Sequence, residues 1–107
     1  MKKVRRRCLA LEIDSDELFD SREFLDAVWG AVLKLYGEYG ASRTGLTLID
    51  YDAEKRLAVI RVANASLETV RTALASITWV RNKPVAIHVL IVSGTIKALY
   101  KKIKKQL

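Results

Sequence analysis

Short stretches of β-forming residues alternate with longer stretches of helical period along this chain. Residues 5–14 alternate between apolar and small or polar positions, which is the period of a strand with one face on a core. Residues 46–51 and 57–62 are also rich in β-formers, and the polar residues 52–56 between them have the length of a hairpin connection. The pattern therefore predicts one strand at the start and, later, two antiparallel strands.

A long helix is expected between the first strand and the second. Asp20 is followed three residues later by Glu23, which matches a capping box, and apolar residues then recur at spacings of three and four. The helix should run from about residue 21 to residue 39. Gly37 interrupts it at a cost of about 1 kcal/mol relative to alanine, and Gly40 is placed to end it in a left-handed cap.

A second helix and a further strand follow the hairpin. Asn64 or Ser66 can cap this helix, which should end near Ser76. Arg81–Pro84 has the composition of a turn. Val85–Val92 is then an apolar run of eight residues, which is typical of a strand covered on both faces.

The last part of the chain, about residues 95–107, predicts an amphipathic helix with lysines between its apolar positions. The order of elements is therefore βαββαβ with one extra helix. This order predicts an α+β, ferredoxin-like or RRM-like fold, in which both core helices cover one face of an antiparallel sheet. We expect residues 1–107 to form one domain with a core at about 5–93. Either the extra helix or a partner covers the second face of the sheet.

The composition is that of one folded domain and excludes several classes of protein. Of the 107 residues, 50% are hydrophobic and 29% are charged, which excludes a disordered chain. Cys8 and His88 are the only residues of their types, so neither an internal disulfide nor a Cys/His zinc site can form. No apolar run reaches the roughly 18 residues of a membrane span, and the basic start turns acidic at Glu12 before a signal-peptide core could form. We expect a cytoplasmic protein without membrane association.

Charge is distributed in three blocks. Residues 1–7 carry five positive side chains and no acid, and residues 8–68 carry twelve acids and six positive side chains. Residues 69–107 carry eight positive side chains and no acid. If both ends of the chain meet in the fold, they form one basic surface that attracts phosphate. The alternative is two separate, solvated basic tails.

The candidate RNA-binding residues lie in these two basic ends. Lys97, Lys101 and Lys104 are four and three residues apart, so a helix places them along one flank, where they would contact phosphates without reading sequence. Ser93, Thr95 or a bound anion could cap that helix. The full set is Arg5, Arg6, Arg7, Ser93, Gly94, Thr95, Lys97, Lys101, Lys102, Lys104 and Lys105.

No catalytic or metal-binding constellation is visible in the sequence. Neither the first nor the third predicted strand contains an aromatic residue, which disfavours stacking of bases on the sheet. The acids at residues 14–20 lie in a loop and at a helix start, where negative charge is favourable without a metal. His88 fits a hydrogen-bonded structural residue inside an apolar strand, and Cys8 fits a small apolar position. We therefore expect no catalytic residue, no metal site and no cofactor bound by this chain.

Three segments form a recognisable combination. Val89–Lys97 contains Ser-Gly-Thr-Ile-Lys and leads into the basic helix. Ala27–Trp29 lies in the first helix, which has Gly37–Gly40 at its end. Glu68–Leu74 lies in the second helix. Together they resemble archaeal ribonuclease P protein component 2, with its Ala-Ile-Trp, Gly-Glu-Leu-Gly and Glu-Glu-Val-Arg-Phe-Ala-Leu patterns. The resemblance covers most of residues 5–105, and the Ser-Gly-Thr-Ile-Lys segment is its most specific part.

The resemblance implies a noncatalytic, RNA-binding subunit of a ribonucleoprotein that removes 5′ leaders from precursor tRNA. In that family the ribonuclease P RNA performs the cleavage with Mg²⁺, and component 2 pairs with protein component 3 and forms a homodimer within a heterotetramer. Trp79 would then face a protein partner. Two alternatives stay open from the residues alone. One is a ferredoxin-like small-ligand or regulatory binding module whose basic ends are only solubilising, and the other is an enzyme that acts alone.

Overall fold

The computed structural model describes residues 5–106, with the side chains of residues 5–105. Lys2 and Lys3, which belong to the first basic block, lie outside the described residues. No helix in the described part is both long and apolar enough to cross a membrane. The elements are β1 Arg6–Asp14, α1 Ser21–Ser42, β2 Thr47–Asp52, β3 Leu57–Ala63, α2 Leu67–Ser76, β4 Trp79–Val80, β5 Lys83–Pro84, β6 Ala86–Ser93 and α3 Ile96–Gln106.

Four of these strands form one antiparallel sheet in the order β2-β3-β1-β6. Helix α1 connects β1 to β2, and β3 lies between these two strands in the sheet. Helix α2 lies in the connection from β3 to β6, and β1 lies between those two strands. This interleaving is the split βαβ arrangement of the ferredoxin-like fold. The predicted fold class is therefore confirmed.

The main core lies between one face of the sheet and the helices α1 and α2. Alternate residues of β1 point to this side because side chains in a strand alternate between faces. Leu9 and Leu11 are completely buried there, and Val28 from α1 and Leu74 from α2 join the same cluster. The alternate apolar residues of β1 and the apolar residues of α1 at helical spacing thus pack together in one core layer.

Helix α3 covers the opposite face of the sheet. Leu99 is 0% exposed and packs in a second cluster with Cys8, Ala10, Val59 and Ile91. Three further apolar positions of α3, at the spacing of a helical stripe, lie against the same cluster: Ile96, Tyr100 and Ile103. Of the two covers that the sequence left open for this face, the chain's own last helix is the one present.

The end of α1 differs from the prediction. Gly37 has φ 73° and ψ −179°, a conformation that is open almost only to glycine, and the helix then resumes and ends at Ser42. The left-handed glycine is therefore Gly37, and the predicted left-handed cap at Gly40 is wrong. Gly40 is needed for close packing instead, because a Cβ there would lie 2.6 Å from the Cβ of Tyr36.

Of the N-terminal caps predicted for α1 and α2, only the one at α1 forms with its side-chain hydrogen bonds. The Asp20 side chain accepts a hydrogen bond from the Glu23 amide at 2.8 Å, and the Glu23 carboxylate accepts one from the Asp20 amide. At α2, Asn64 lies in a 3₁₀ turn that precedes the helix, and Ser66 occupies the N-cap position but its side chain makes no capping hydrogen bond. The Ser66 hydroxyl instead donates to the carbonyl of Arg43 at 3.1 Å.

The predicted turn at Arg81–Pro84 is part of a second, two-stranded sheet. Trp79–Val80 pairs with Lys83–Pro84, so the turn itself consists of Arg81 and Asn82. Both of these residues have positive φ, at 53° and 64°, as a tight type I′ hairpin requires. This hairpin holds Trp79 at the surface, where its side chain is 65% exposed.

The prediction that the last long strand is covered on both faces holds for only part of β6, which is an edge strand of the sheet: Ile87 packs in the main core and Ile91 in the cluster under α3, whereas the middle of the strand is partly exposed. Its pairing with β1 skips Leu90 at a β-bulge, and the Leu90 side chain is exposed. His88 is not an internal structural residue either: its side chain is 53% exposed, and its Nε2 lies 3.8 Å from an Asp14 carboxylate oxygen.

Leu99→Ala tests the docking of α3. Removal of this fully buried side chain should lower the free energy of unfolding by about 2–5 kcal/mol. It should also raise the reactivity of Cys8 towards a thiol reagent, because Cys8 is buried under the same helix. Leu35→Ala makes the same change at an exposed position and should alter neither quantity much. Unchanged stability and thiol reactivity in Leu99→Ala would show that α3 does not cover this face in solution.

Candidate nucleic-acid interface

The pairing of β1 with β6 brings the two basic ends of the chain together. Cys8 is the partner of Ser93 in this antiparallel ladder, so Arg7 lies beside Gly94, immediately before α3. An Nη1 atom of Arg7 lies 4.0 Å from the position of a Cβ built on Gly94. Arg7 therefore adjoins the segment that leads into the lysine-bearing helix.

The Arg7 side chain is hydrogen-bonded to the segment that follows β3. Its Nε donates a hydrogen bond to Oδ1 of Asn64 at 2.9 Å. The backbone N–H of Asn64 in turn donates a hydrogen bond to the carbonyl of Arg5 at 2.8 Å. This bond holds the backbone just before β1. Asn64 is absent from the sequence-predicted site. The register of β1 with β3 is the signal that would have revealed it: Arg6 is opposite Ala63 in that ladder, so Asn64 lies close to Arg5 and Arg7.

The segment between β6 and α3 is partly exposed. Thr95 caps the helix, since its Oγ1 accepts a hydrogen bond from the Ala98 amide at 3.1 Å. Gly94 and Thr95 are exposed, whereas Ser93 is 2% exposed. Of the three predicted residues in this segment, Ser93 is therefore the one whose side chain is not at the surface.

All five lysines of α3 that were predicted to bind RNA are exposed. Leu99 marks the side of the helix that faces the sheet, and each residue turns the helix by about 100°. On this geometry Lys97, Lys101 and Lys104 share one flank, and the remaining two lysines extend the positive charge around the outer side. Those two are Lys102 and Lys105.

The positive charge of this surface is not neutralised by ion pairs within the described part of the chain. The pairs found in that part involve three other basic side chains and lie away from α3 and from the start of β1: Arg81 with Glu23, Lys83 with Glu17, and His88 with Asp14. We call the exposed surface made by Arg5–Arg7, Gly94, Thr95 and the five lysines of α3 the basic surface.

Arg61 adds a positive charge that the sequence did not assign to the site. It lies on β3 opposite Cys8, on the face of the sheet that α3 covers, and it is partly buried. Arg6 is its diagonal neighbour on the same face, since Arg6 and Cys8 are two residues apart on β1. Burial raises the pKa of the Cys8 thiol, and the nearby Arg61 charge lowers it by a smaller amount. Arg61 was missed because it lies within the acidic block of the sequence.

Tyr100 attaches α3 to the far edge of the sheet. Its hydroxyl donates a hydrogen bond to Oδ2 of Asp50 on β2 at 3.0 Å. Burial raises the pKa of Tyr100, and the hydrogen bond to Asp50 and the charge of Asp50 raise it further. One acid of the central block is thereby committed to holding the basic helix in place.

The acids that precede α1 are used in local structure. Asp20 caps α1, Glu17 pairs with Lys83, and Asp14 lies near His88. Within residues 5–106, no three His, Cys, Asp or Glu side chains come together closely enough to hold a metal ion. The arrangement can attract an anion through the basic surface, but these acids do not form a cation-binding group.

Comparison with known proteins now assigns the chain. The profile of the Rpp14/Pop5 family matches residues 7–104. The chain belongs to the Rpp14/Pop5 family. It is similar to ribonuclease P protein component 2 of Pyrococcus abyssi, with 35% identity over 102 residues that cover 95% of this chain and 86% of the relative. It is also similar to the protein of the same name from Thermococcus kodakarensis, with 32% identity over 98 residues that cover 92% and 82%. The resemblance stated from the sequence is confirmed.

A solved structure gives the same fold at low sequence similarity. A chain in the cryo-EM structure of yeast ribonuclease MRP matches this Rpp14/Pop5 chain with a TM-score of 0.73 and 16% identity. The match covers 99% of this chain and 93% of the yeast chain, so it includes α3 as well as the sheet.

Tyr100→Phe tests the attachment of α3 through its pH dependence. Because the pKa of Tyr100 is raised in the fold, its contribution to stability is complete below the unfolded pKa of about 10 and is lost as the pH rises through the folded pKa. Loss of the hydrogen bond should cost about 1 kcal/mol at neutral pH. Urea unfolding above about pH 10 should then show a smaller further loss in the variant than in the wild type. Tyr51, whose pKa is also raised, supplies the decline common to both proteins. An equally steep decline in both would contradict this role of Tyr100.

Proposed function

We propose that this Rpp14/Pop5 chain is a noncatalytic protein subunit of ribonuclease P, and that it binds the ribonuclease P RNA through the basic surface. The family and the archaeal relatives named ribonuclease P protein component 2 support the subunit assignment. The observation that carries the binding mode is the juxtaposition of Arg7 with the segment that opens α3. The β1–β6 register thereby places Arg7 near the start of α3, although the two segments are far apart in the sequence.

The chemistry of the basic surface suits the phosphate backbone of RNA. Arginine and lysine side chains neutralise phosphates and release condensed cations, which makes the affinity depend strongly on salt. Base stacking on the sheet, as in an RRM, requires an accessible sheet face with aromatic residues. Here α3 covers that face, and neither β1 nor β3 contains an aromatic residue. Backbone contacts should therefore dominate the interaction.

We assign the removal of the 5′ leader from precursor tRNA to the RNA subunit with its own Mg²⁺, with the protein in the cytoplasm. Cys8 is buried and its thiol pKa is raised, which makes it a poor nucleophile. Of the acids near residues 14–20, Asp20 caps α1, Glu17 pairs with Lys83 and Asp14 lies near His88. The protein's contribution would be to reduce repulsion between RNA phosphates, so that the RNA reaches its active form at lower Mg²⁺.

We also propose that protein component 3 and a second copy of this chain are partners, in a heterotetramer. Support for a protein-binding face comes from the side of the molecule that carries Trp79 and α1. A groove of about 400 Å³ runs between them, and Leu35 on its border is 47% exposed. Exposed aromatic and leucine side chains around a groove are typical of protein interfaces.

Replacement of the lysines on one flank of α3 tests the RNA-binding mode. The triple variant Lys97→Ala, Lys101→Ala and Lys104→Ala should weaken binding of the ribonuclease P RNA by more than about tenfold and lower the slope of log affinity against log salt by about 2–3. Its melting temperature should change little, because the three side chains are exposed and alanine favours helix.

The matched control removes three lysines elsewhere, at Lys34, Lys55 and Lys83, which are also exposed. This control should keep its RNA affinity within about twofold, because these lysines lie outside the basic surface. Equal loss in both triple variants would mean that only net charge matters. RNA binding without salt dependence would favour the alternative of a ferredoxin-like module for a small ligand. Cleavage of precursor tRNA by the protein alone would favour an independent enzyme.

Trp79→Ala tests the proposed protein-binding face. We expect the variant to bind component 3 at least about tenfold more weakly, as is common for a central aromatic residue of an interface. Its unfolding free energy should fall by less than about 1 kcal/mol because the side chain is largely exposed. Isothermal titration calorimetry and thermal unfolding measure the two effects. Unchanged affinity would exclude this face as the site of component 3.

A further inference from the structure

The hydrogen bond between Arg7 and Asn64 distinguishes Arg7 from the other residues of the basic surface. It uses the Nε hydrogen of the guanidinium group and leaves the two terminal nitrogens, of which one Nη1 is the atom found near Gly94. A guanidinium held at Nε has a defined plane and direction. Its terminal N–H groups form a fork that matches two oxygens of one phosphate.

Asn64 is itself firmly placed. It lies in the 3₁₀ turn between β3 and α2, and its backbone N–H donates a hydrogen bond to the carbonyl of Arg5 at 2.8 Å. The backbone of Asn64 therefore follows the β1–β3 ladder, in which Arg6 is opposite Ala63. The side chain of Asn64 and the strand that carries Arg7 are fixed relative to each other by backbone pairing.

Gly94 leaves space beside this guanidinium group. Its φ is not in the left-handed region, so the backbone conformation does not require glycine there. A Cβ at this position would meet only Nη1 of Arg7 within 4 Å. The terminal nitrogens of Arg7 therefore lie beside the exposed backbone of Gly94, with no side chain between them and solvent on that side.

We infer that Asn64 is a positioning residue that holds Arg7 as a preformed fork for one phosphate of the bound RNA. The inference rests on the proposed function. The conformational freedom of the arginine side chain is lost when the protein folds rather than when RNA binds, which favours binding. An asparagine is suited to this task because its carbonyl oxygen orients the guanidinium group without neutralising the positive charge, whereas an aspartate at the same position would form an ion pair.

Substitutions at both positions, measured with a transcript of the ribonuclease P RNA over a range of salt, test this role. Asn64→Ala should weaken binding by about three- to tenfold without changing the salt slope, because it removes the orientation but not the charge. Arg7→Ala should weaken binding by at least about tenfold and lower the slope by about 0.7–0.9, the value for one phosphate contact. In the double variant, Asn64→Ala should have no further effect beyond about twofold, because it acts through Arg7.

Two more variants separate positioning from a merely structural role. Asn64→Asp keeps an acceptor for Arg7 and should keep the melting temperature, yet it should weaken RNA binding at least as much as Arg7→Ala. Arg7→Lys keeps the charge but has no Nε donor, and it should reproduce the loss of Asn64→Ala with a wild-type salt slope. This variant also serves if Asn64→Ala does not fold.

Two results would overturn the inference. One is wild-type RNA affinity in Asn64→Asp, and the other is an equal effect of Asn64→Ala in the wild-type and Arg7→Ala backgrounds. The triple lysine variant of α3 tests the proposed RNA-binding function independently of the positioning role of Asn64. If that variant loses RNA binding while the variants of Asn64 and Arg7 do not, the positioning role is wrong and the basic surface stands. If none of these variants loses affinity, both are wrong.

Discussion

The antiparallel pairing of β1 with β6 determines how this molecule presents its charge. β1 is one of the two inner strands of the sheet, and β6 is the last strand before the basic helix. Because the ladder is antiparallel, the start of β1 must lie beside the end of β6, and Cys8 is opposite Ser93. The first basic block and the last one are thereby joined, although the whole acidic block lies between them in sequence. A parallel pairing would have placed the two basic ends at opposite ends of the strands.

The docking of α3 serves the fold and the proposed function with different sides of the same helix. Leu99 and its apolar neighbours cover a sheet face that would otherwise be exposed, while the lysines remain at the outer surface. The hydrogen bond from Tyr100 to Asp50 fixes the helix across the sheet. The covered sheet face is not accessible for base stacking, and the exposed side of α3 is cationic instead. It is consistent with a subunit that supports the structure of an RNA.

Much of the fold followed from the sequence because its signals are local and periodic. The alternation in β1, the capping box at Asp20 and the stripe of α3 each determine an element without tertiary information. The errors arose where long-range packing decides the outcome. Gly40 was predicted as a cap but accommodates Tyr36, and β6 has a core-like composition although it is an edge strand with a bulge at Leu90. The site shows the same division, since the basic residues were visible in the sequence whereas Asn64 and Arg61 reach them only through strand register.

Lysine footprinting on the complex of this chain with the ribonuclease P RNA, without component 3, tests the shared basic surface most directly. The chain is acetylated with and without the ribonuclease P RNA, and the modification of each lysine is read by mass spectrometry. We expect RNA to protect Lys97, Lys101 and Lys104 on α3 while Lys34 and Lys55, which are also exposed in the free chain, keep their reactivity. Protection of Lys34 and Lys55 with continued modification of α3 would contradict RNA binding at this surface.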